Sequence, residues 1–354
     1  MSRPLFVFLL MCSFFLSTGT AANAADKPER STSAKKSTKK SIAKKSSRRR
    51  SVAVAPKAKP STRQRTAAVI LPAVVSAGEL AGLNRTPDAL DLKSNVALVL
   101  DQSNSKVLFE KNSNVALPIA SITKLMTSMV VVESNQNMDE MIEVTNEDID
   151  REKNSSSRLR VGSILSRANM LHIALMSSEN RAASALGRNY PGGLPAFVAA
   201  MNNKAKSLGM NDTHYVDSTG LSSHNVATAQ DLAKLVIAAR QHQIISQYST
   251  DTKYAVKPGS GILQYSNSNH LVGNPSWDID LQKTGYINEA GRCLVMMTNI
   301  EGRPIVMVFL DSKGKQSRTA DAGRIRKWIE TSKPDNLTNP LAVPTARNLP
   351  VAHS

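Results

Sequence analysis

The chain has 354 residues, of which 41% are hydrophobic and 21% are charged, and its formal net charge is +17. This length is enough for one large domain or two modest ones with a substantial core. Cys12 lies in an N-terminal segment that we expect to be removed, so Cys293 alone remains and an intramolecular disulfide is excluded. A cysteine-ligated zinc site is excluded on the same ground, and the six histidines show no metal-ligand spacing with acidic residues. We therefore expect neither a metal nor another cofactor.

Residues 1–24 have the pattern of a secretory signal peptide. A basic start at Arg3 is followed by an apolar run over residues 5–16 and by small residues that end in Ala22-Asn-Ala24. The apolar run is shorter than the roughly 20 residues that a membrane span needs. The pattern predicts a secreted, periplasmic protein that is cleaved after about Ala24.

Residues 25–88 carry most of the positive charge. Between Lys27 and Arg65 there are 15 Lys or Arg residues and one acidic residue, Glu29, whereas from Thr66 onward 29 basic residues accompany 26 acidic ones. A segment so rich in Lys, Ser, Ala and Pro cannot bury a core, and we predict that it is disordered. Export argues against nucleic acid as a partner, and so does the lack of aromatic residues on which bases could stack. We therefore interpret the segment as a solvated tether or as a region that makes weak contact with an anionic membrane or wall polymer.

The folded domain is predicted over residues 89–332, and residues 333–354 are predicted to be a disordered tail. A hairpin is predicted at residues 96–109, and apolar residues at helical spacing from Ile122 to Val130 predict a buried helix. Further helices are predicted at residues 168–176, 181–186, 196–208, 229–240 and 320–330, and further strands at residues 281–286, 293–300 and 304–310. This order predicts an α+β fold, with an antiparallel five-stranded sheet flanked by helices and an inserted all-helical lobe.

Ser121 and Lys124 begin the predicted helix that contains Ile122. In a first turn, free backbone N–H groups favour developing negative charge. A lysine held neutral in this apolar segment can deprotonate a serine one turn away, so the pair predicts an acyl-transfer nucleophile with its own base. The spacing alone is weak, because five other serines also precede a lysine by three residues: Ser33, Ser37, Ser41, Ser103 and Ser312.

Lys283-Thr284-Gly285 is the only Lys-Thr-Gly sequence in the chain, and it falls on a predicted strand. Lys283 offers a cation for a substrate carboxylate, and Thr284 offers a hydroxyl donor. Gly285 allows a substrate backbone to approach the strand closely. We also expect the positive charge of Lys283 to shift Lys124 towards its neutral form.

Ser178-Glu-Asn180 lies at a break between two predicted helical segments, where a hydroxyl and an amide could project into a cleft. With Ser121, Lys124 and Lys283-Thr-Gly285, it resembles the ordered signature of the low-molecular-mass penicillin-binding proteins, with Glu in place of Asp at the centre of the second element. Further segments resemble the D-alanyl-D-alanine endopeptidase branch of that family: Ser156-Ser-Arg-Leu-Arg-Val-Gly162, Met176-Ser-Ser-Glu-Asn-Arg-Ala-Ala183, Tyr190-Pro-Gly-Gly193, Leu208-Gly-Met210, Ser218-Thr-Gly-Leu221 and Tyr286-Ile-Asn-Glu-Ala-Gly-Arg-Cys-Leu294.

The resemblance covers about residues 90–330 and implies a penicillin-binding/β-lactamase-like fold. It implies that Ser121 is the acylated nucleophile, Lys124 its base and Ser178 a proton relay. It also implies that Asn180 binds the substrate amide and that Lys283 and Thr284 bind the terminal carboxylate. The backbone N–H groups of Ser121 and Tyr286 would form the oxyanion hole. The implied activity is hydrolysis of peptide cross-links in peptidoglycan through an acyl-enzyme, with β-lactam antibiotics as covalent inhibitors.

Three other functions compete with this interpretation. A class A β-lactamase deacylates with a glutamate between the second and third elements, and residues 181–288 contain no Glu. Many D-alanyl-D-alanine carboxypeptidases, which trim pentapeptide stems, continue with a β-domain and an amphipathic anchor. Only about 24 Pro-rich residues follow the last predicted helix here, which favours the endopeptidase branch. A non-enzymatic wall-binding module would leave the complete set of catalytic groups without a purpose.

Overall fold

The computed structural model describes residues 75–332. The predicted signal peptide, the basic segment up to residue 74 and the predicted tail lie outside the described residues. The strands of the described range are β1 (Ser94–Asp101), β2 (Lys106–Lys111), β3 (Leu117–Pro118), β4 (Met141–Glu143), β5 (Ile164–Ser166), β6 (Val226–Ala227), β7 (Lys253–Val256), β8 (Leu263–Ser266), β9 (Asp278–Ile287), β10 (Gly291–Ile300) and β11 (Arg303–Ser312). Its α-helices are α1 (Ala77–Leu80), α2 (Thr123–Glu133), α3 (Arg167–Met176), α4 (Asn180–Arg188), α5 (Gly193–Ser207), α6 (Ala229–Arg240), α7 (Gln243–Thr250) and α8 (Ser317–Thr331).

Five strands form one antiparallel sheet in the order β2-β1-β11-β10-β9. The N-terminal hairpin joins the C-terminal strands because β1 pairs with β11, with Val96 opposite Leu310. Strand β9 forms the other edge of the sheet and pairs with β10, with Thr284 opposite Leu294. The predicted α+β fold with a five-stranded antiparallel sheet is confirmed.

Both faces of the sheet are covered, because successive side chains of a strand point to opposite faces. On one face, Val99 and Phe309 share a core cluster with Ile325 of α8. On the other face, Val96 and Leu98 belong to the larger core that also contains the buried residues of α2 to α7. The sheet therefore lies between the closing helix and the inserted helical lobe.

Helix α2 lies inside the larger core. Nine of its eleven residues are buried, including Leu125 and Met126. A helix that is buried on all sides belongs to the interior of a protein. The apolar spacing between Ile122 and Val130 predicted this burial. Because the helix is packed on all sides, the polar side chains that it carries, such as Lys124, are held in fixed positions.

The predicted start of the ordered domain at residue 89 is wrong. Residues 77–80 form α1, and a 3-10 turn follows at Leu83–Arg85. The Ser76 hydroxyl donates to Asp311 Oδ2 at 2.9 Å, and the Ala77 N–H donates to the Glu289 carbonyl oxygen at 2.9 Å. These bonds to distant strands order a segment that has little apolar pattern of its own, which is why composition alone placed it with the basic segment.

Other short elements were not predicted, notably α7 and the β7–β8 hairpin. Each has four to eight residues, too few for a periodic pattern to stand out. Between residues 75 and 332, no helix is both long enough and apolar enough to cross a membrane.

Candidate active site

Ser121 lies in the 3-10 turn Ala120–Ile122 that leads directly into α2. The turn is tight, since Ala120 has φ +48°. Two glycines pack against it: a Cβ on Gly220 would overlap the Ala120 carbonyl, and a Cβ on Gly285 would lie 3.1 Å from the Ser121 nitrogen. Glycine is therefore needed at both positions, and the serine backbone is fixed by close contact from two sides.

Lys124 is buried, and its ammonium nitrogen has three oxygen neighbours. The Nζ atom is 2.9 Å from Ser121 Oγ, 2.7 Å from Asn180 Oδ1 and 2.6 Å from the Thr219 carbonyl oxygen. These contacts come from three separate parts of the chain. They aim the amine at the serine hydroxyl, as the three-residue spacing predicts.

Burial is the main influence on the proton affinity of Lys124. It lowers the pKa of Lys124 from 10.5 to about 7, while the carboxylates of Asp217, Glu179 and Asp150 act in the opposite direction and raise the pKa. Burial disfavours the charged form of an amine, and nearby negative charge favours it. The apolar segment predicted this effect of burial, whereas the additional lowering expected from the charge of Lys283 is not found among the causes of the shift.

Ser178 lies in the break between α3 and α4, as the sequence predicted, and it has φ +63°. Its hydroxyl oxygen accepts a hydrogen bond from Lys283 Nζ at 2.9 Å. Asn180 is the first residue of α4, and its Nδ2 donates to Ser155 Oγ at 2.9 Å. The side chains of Ser178 and Asn180 therefore reach the two lysines of the site.

Glu179, between them, points elsewhere. Its carboxylate accepts hydrogen bonds from the Ser157 hydroxyl at 2.6 Å and from the Tyr265 hydroxyl at 3.3 Å. It also caps α4 through the Arg181 N–H. The central position of this motif thus serves the fold, which explains how Glu can stand where the family signature has Asp.

Strand β9 brings Lys283, Thr284 and Gly285 to the Ser121 turn. Lys283 is fully buried, and its pKa is lowered by burial first and then by the charges of Lys124 and Arg318. Within residues 75–332, no carboxylate lies within 4.0 Å of its ammonium group. The Thr284 hydroxyl lies 2.7 Å from Ser268 Oγ. A carboxylate from outside would supply the negative charge that the surroundings of Lys283 lack.

Tyr286 is 52% exposed, and its side chain does not point to Ser121. Its hydroxyl donates to Asn288 Oδ1 at 2.9 Å, and the Arg292 guanidinium lies 4.5 Å from the centre of its ring. The oxyanion role predicted for Tyr286 concerns its backbone N–H, next to Gly285, and does not depend on these side-chain contacts.

Asp217 and Thr219 complete the site and were not predicted. Asp217 Oδ1 accepts from the Thr219 N–H, the Thr219 hydroxyl and the Gly220 N–H, and Oδ2 accepts from the Ser222 N–H at 3.0 Å. This carboxylate fixes the loop whose Thr219 carbonyl accepts from Lys124. An Asp followed by Ser, Thr and Gly is a local turn pattern, and that pattern could have indicated Asp217.

The fold and the site together define a class of enzyme, a hydrolase with a serine and a neutralised lysine at the edge of an antiparallel sheet. Residues 83–314 match the family described as D-alanyl-D-alanine carboxypeptidase, peptidase family S11. The chain belongs to this family of serine peptidases, so the resemblance stated from the sequence is confirmed.

Proteins of this family that are similar to the chain include two curated enzymes. The D-alanyl-D-alanine endopeptidase of Pseudomonas aeruginosa is 50% identical over 245 residues, which are 69% of this chain and 79% of that protein. The D-alanyl-D-alanine endopeptidase of Escherichia coli is 47% identical over 245 residues, with the same coverage.

Solved structures of the same fold also match. The Streptomyces K15 DD-transpeptidase superposes with a TM-score of 0.63 at 25% identity, over 69% of this chain and 98% of that chain. Penicillin-binding protein D2 of Listeria monocytogenes, in its cefotaxime-bound form, gives a TM-score of 0.60 at 27% identity, over 68% of this chain and 98% of that chain.

Proposed function

We propose that this chain is a serine D-alanyl-D-alanine endopeptidase that hydrolyses peptide cross-links of peptidoglycan and is acylated by β-lactams. The observation that carries the proposal is the position of Lys124, whose Nζ lies 2.9 Å from Ser121 Oγ and whose pKa is lowered to about 7. A base is most effective when its pKa is near the working pH. Both curated relatives described above are D-alanyl-D-alanine endopeptidases.

In acylation, neutral Lys124 takes the hydroxyl proton of Ser121, and Oγ attacks the carbonyl carbon of the scissile D-alanyl bond. The backbone N–H groups of Ser121 and Tyr286 are the proposed donors to the oxyanion. The carbon–nitrogen bond then breaks, and protonated Lys124 passes its proton through the Ser178 hydroxyl to the leaving amine, which makes Lys124 neutral again. Lys283 Nζ donates to Ser178 Oγ at 2.9 Å and holds that hydroxyl in place.

In deacylation, Lys124 takes a proton from water, the resulting hydroxide attacks the ester carbon, and Ser121 leaves as the alcohol with a proton restored from Lys124. Lys283 and Thr284 bind the carboxylate of the leaving residue, and Asn180 binds the substrate amide. Residues 181–288 contain no Glu that could serve as an additional base, so we expect the penicilloyl ester to be released slowly.

Two experiments test this proposal. Incubation with labelled penicillin followed by peptide mapping should place the label on Ser121 alone, and Ser121→Ala should abolish labelling. Purified cross-linked muropeptide dimers should then be converted to monomers. Trimming of pentapeptides without loss of dimers would instead favour a D-alanyl-D-alanine carboxypeptidase, the activity by which the family is described. Rapid penicillin turnover would contradict both.

We also propose export to the periplasm, supported by the signal-peptide pattern of residues 1–24 and by a peptidoglycan substrate. The basic segment would then tether the domain, with weak contact to anionic membrane or wall polymer. Deletion of residues 27–65 should leave dimer cleavage in solution unchanged and should reduce co-sedimentation with isolated cell walls.

A further inference from the structure

A large cavity adjoins the candidate active site on the side of Ser178. A first cavity of about 370 Å³ is lined by residues 177–180 and 156–158. Ser157 and Arg158 also line a second cavity of about 540 Å³, whose other walls are residues 160–163 and residues 258–261 of the β7–β8 loop. The two cavities therefore adjoin at Ser157 and Arg158, and the first of them is also lined by Ser178 and Asn180 of the candidate site.

The larger cavity is lined by positive and neutral side chains. Arg158 and Arg160 are exposed at its surface, serine hydroxyls and glycines surround them, and its lining contains no acidic residue. Within the part of the chain that the structure describes, no carboxylate lies within 4.0 Å of either guanidinium. Both cations are available to an anion from outside.

The part of the wall that carries Arg158 is held by contacts to neighbouring segments. The Arg158 guanidinium donates to the Gln264 carbonyl oxygen and lies 3.9 Å from the centre of the Tyr265 ring. Next to it, Ser157 Oγ donates to Glu179 at 2.6 Å, and Arg181 donates to the Leu159 carbonyl oxygen at 2.6 Å. The Arg158 side of the cavity is thus preformed, and a preformed site loses less conformational entropy on binding.

Its position identifies which part of a substrate would enter it. Under the proposed function, Lys283, Thr284 and Ser178 mark the side of Ser121 on which the leaving group lies. A carboxypeptidase releases a single D-alanine there, for which a cavity of 540 Å³ would be far too large. An endopeptidase releases a peptide strand, which continues beyond the scissile bond and carries further carboxylates.

We propose that the cavity at Arg158 and Arg160 is the subsite for the released peptide strand and that the two guanidiniums bind carboxylates of that strand. Guanidinium groups suit this role because their planar donors match both carboxylate oxygens. The inference rests on the proposed endopeptidase function. It implies that this cavity allows the enzyme to distinguish a long leaving group from a short one.

The test compares the wild type with the Arg158→Ala/Arg160→Ala double variant on three probes. For a cross-linked muropeptide dimer, we expect kcat/KM to fall roughly 10- to 100-fold, as charged hydrogen bonds of this kind are lost. Acylation by labelled penicillin, which has no leaving strand, should stay within about twofold. A second dimer is amidated on its released strand at every carboxylate except the one that Lys283 and Thr284 bind. The wild type should cleave this dimer more slowly, and the double variant should not distinguish the two dimers.

Two controls accompany the test. Lys327→Ala removes an exposed positive charge from α8, far along the chain from the cavity, and should leave all three rates unchanged. Arg160→Ala alone removes a side chain with no hydrogen bond to any other described residue, so it keeps the packing of Arg158 on Tyr265 and should still slow dimer cleavage.

Each outcome decides a separate point. If the wild type cleaves dimers and both variants cleave them equally fast, the subsite is overturned while the proposed function stands. Equal losses on dimer and penicillin would also overturn it, since they indicate a damaged catalytic site. If the wild type leaves dimers intact, the proposed function and the subsite fail together.

Discussion

Two buried lysines stand on opposite walls of the site, and their surroundings differ. Lys124, on α2, has three oxygen neighbours, and the carboxylates of Asp217 and Glu179 moderate the effect of burial on its pKa. Lys283, on β9, has the Ser178 hydroxyl and a backbone carbonyl, and its charged neighbours are cations that lower its pKa further.

The difference suits two tasks. An amine whose pKa is lowered to about 7 can exchange a proton with Ser121 near neutral pH. An amine that is surrounded by cations gains most from a carboxylate that arrives with the substrate. Burial lowers the pKa of both amines. The carboxylates near Lys124 partly offset that effect, whereas at Lys283 a carboxylate from the substrate would be needed to offset it.

The largest predicted effect comes from removing the base. Lys124→Ala should lower the rate of acylation by penicillin roughly 10³-fold, because general-base assistance is lost. Lys283→Ala should act mainly through KM for a carboxylate-bearing substrate. Stopped-flow acylation and steady-state dimer cleavage measure these two effects. If the two variants changed kcat and KM in the same proportions, the division of tasks would be contradicted.

The second prediction concerns the wall that supports the Ser121 turn. Gly220 has φ +82°, and a Cβ there would overlap the Ala120 carbonyl. Gly220→Ala should therefore displace Ser121 and slow acylation about 100-fold, because small misplacements of reacting groups are costly.

Gly209→Ala is the matched control, since Gly209 has φ +68° and open space around its Cα. Both variants suffer the backbone strain of about 1–2 kcal/mol that a side chain brings at positive φ. Only Gly220→Ala should lose activity. Thermal unfolding and acylation rates would separate strain from displacement, and equal activities would contradict the role of Gly220.

The third prediction is a pH effect. Acylation needs neutral Lys124, so its rate should rise about tenfold per pH unit below pH 7 and level off above it. Asp217 is the carboxylate with the largest raising effect on the Lys124 pKa. Asp217→Asn should therefore move the inflection of the pH profile to lower pH, whatever it does to the plateau rate.

Asp231→Asn controls for the loss of a buried carboxylate that holds a loop, since Asp231 lies in the first turn of α6 and binds the segment before it. Asp231 Oδ2 accepts from the Asp212 N–H and from the Thr213 hydroxyl, both at 2.9 Å, and it has no resolved influence on Lys124. Its replacement should leave the inflection in place. An unchanged inflection in Asp217→Asn would show that Asp217 acts only through the loop.

Much of this site could be predicted from sequence because its parts are local motifs. Ser121 and Lys124 share a turn, Ser178 and Asn180 flank a helix start, and Lys283 leads a tripeptide on a strand. Likewise, the ten-residue strands β9 to β11 have apolar runs long enough to identify.

The parts that escaped prediction depend on long-range contacts. Thr219 contributes a backbone carbonyl to Lys124, 95 positions earlier in the chain, and a carbonyl leaves no trace in the residue type. The ordering of residues 75–88 depends on Asp311, more than 200 positions away. The apolar segment predicted that burial lowers the Lys124 pKa, but the opposing effect of Asp217 could not be predicted, because Asp217 approaches Lys124 only in the folded chain.

The smallest predicted effect concerns the ion pair that joins the two walls. Lys153, in the loop that also carries Ser155, is 2.7 Å from Glu289 in the turn after β9. Both side chains are partly exposed, at 27% and 36%, so water screens the pair.

Lys153→Ala and Glu289→Gln should each lower the free energy of unfolding by under about 1 kcal/mol, and the coupling between them in a double-mutant cycle should vanish in 1 M salt. If the coupling is larger and resists salt, the walls are held together at this pair as well as by the common core. If it is small, as we expect, the core beneath α2 and β9 sets the distance between the two lysines.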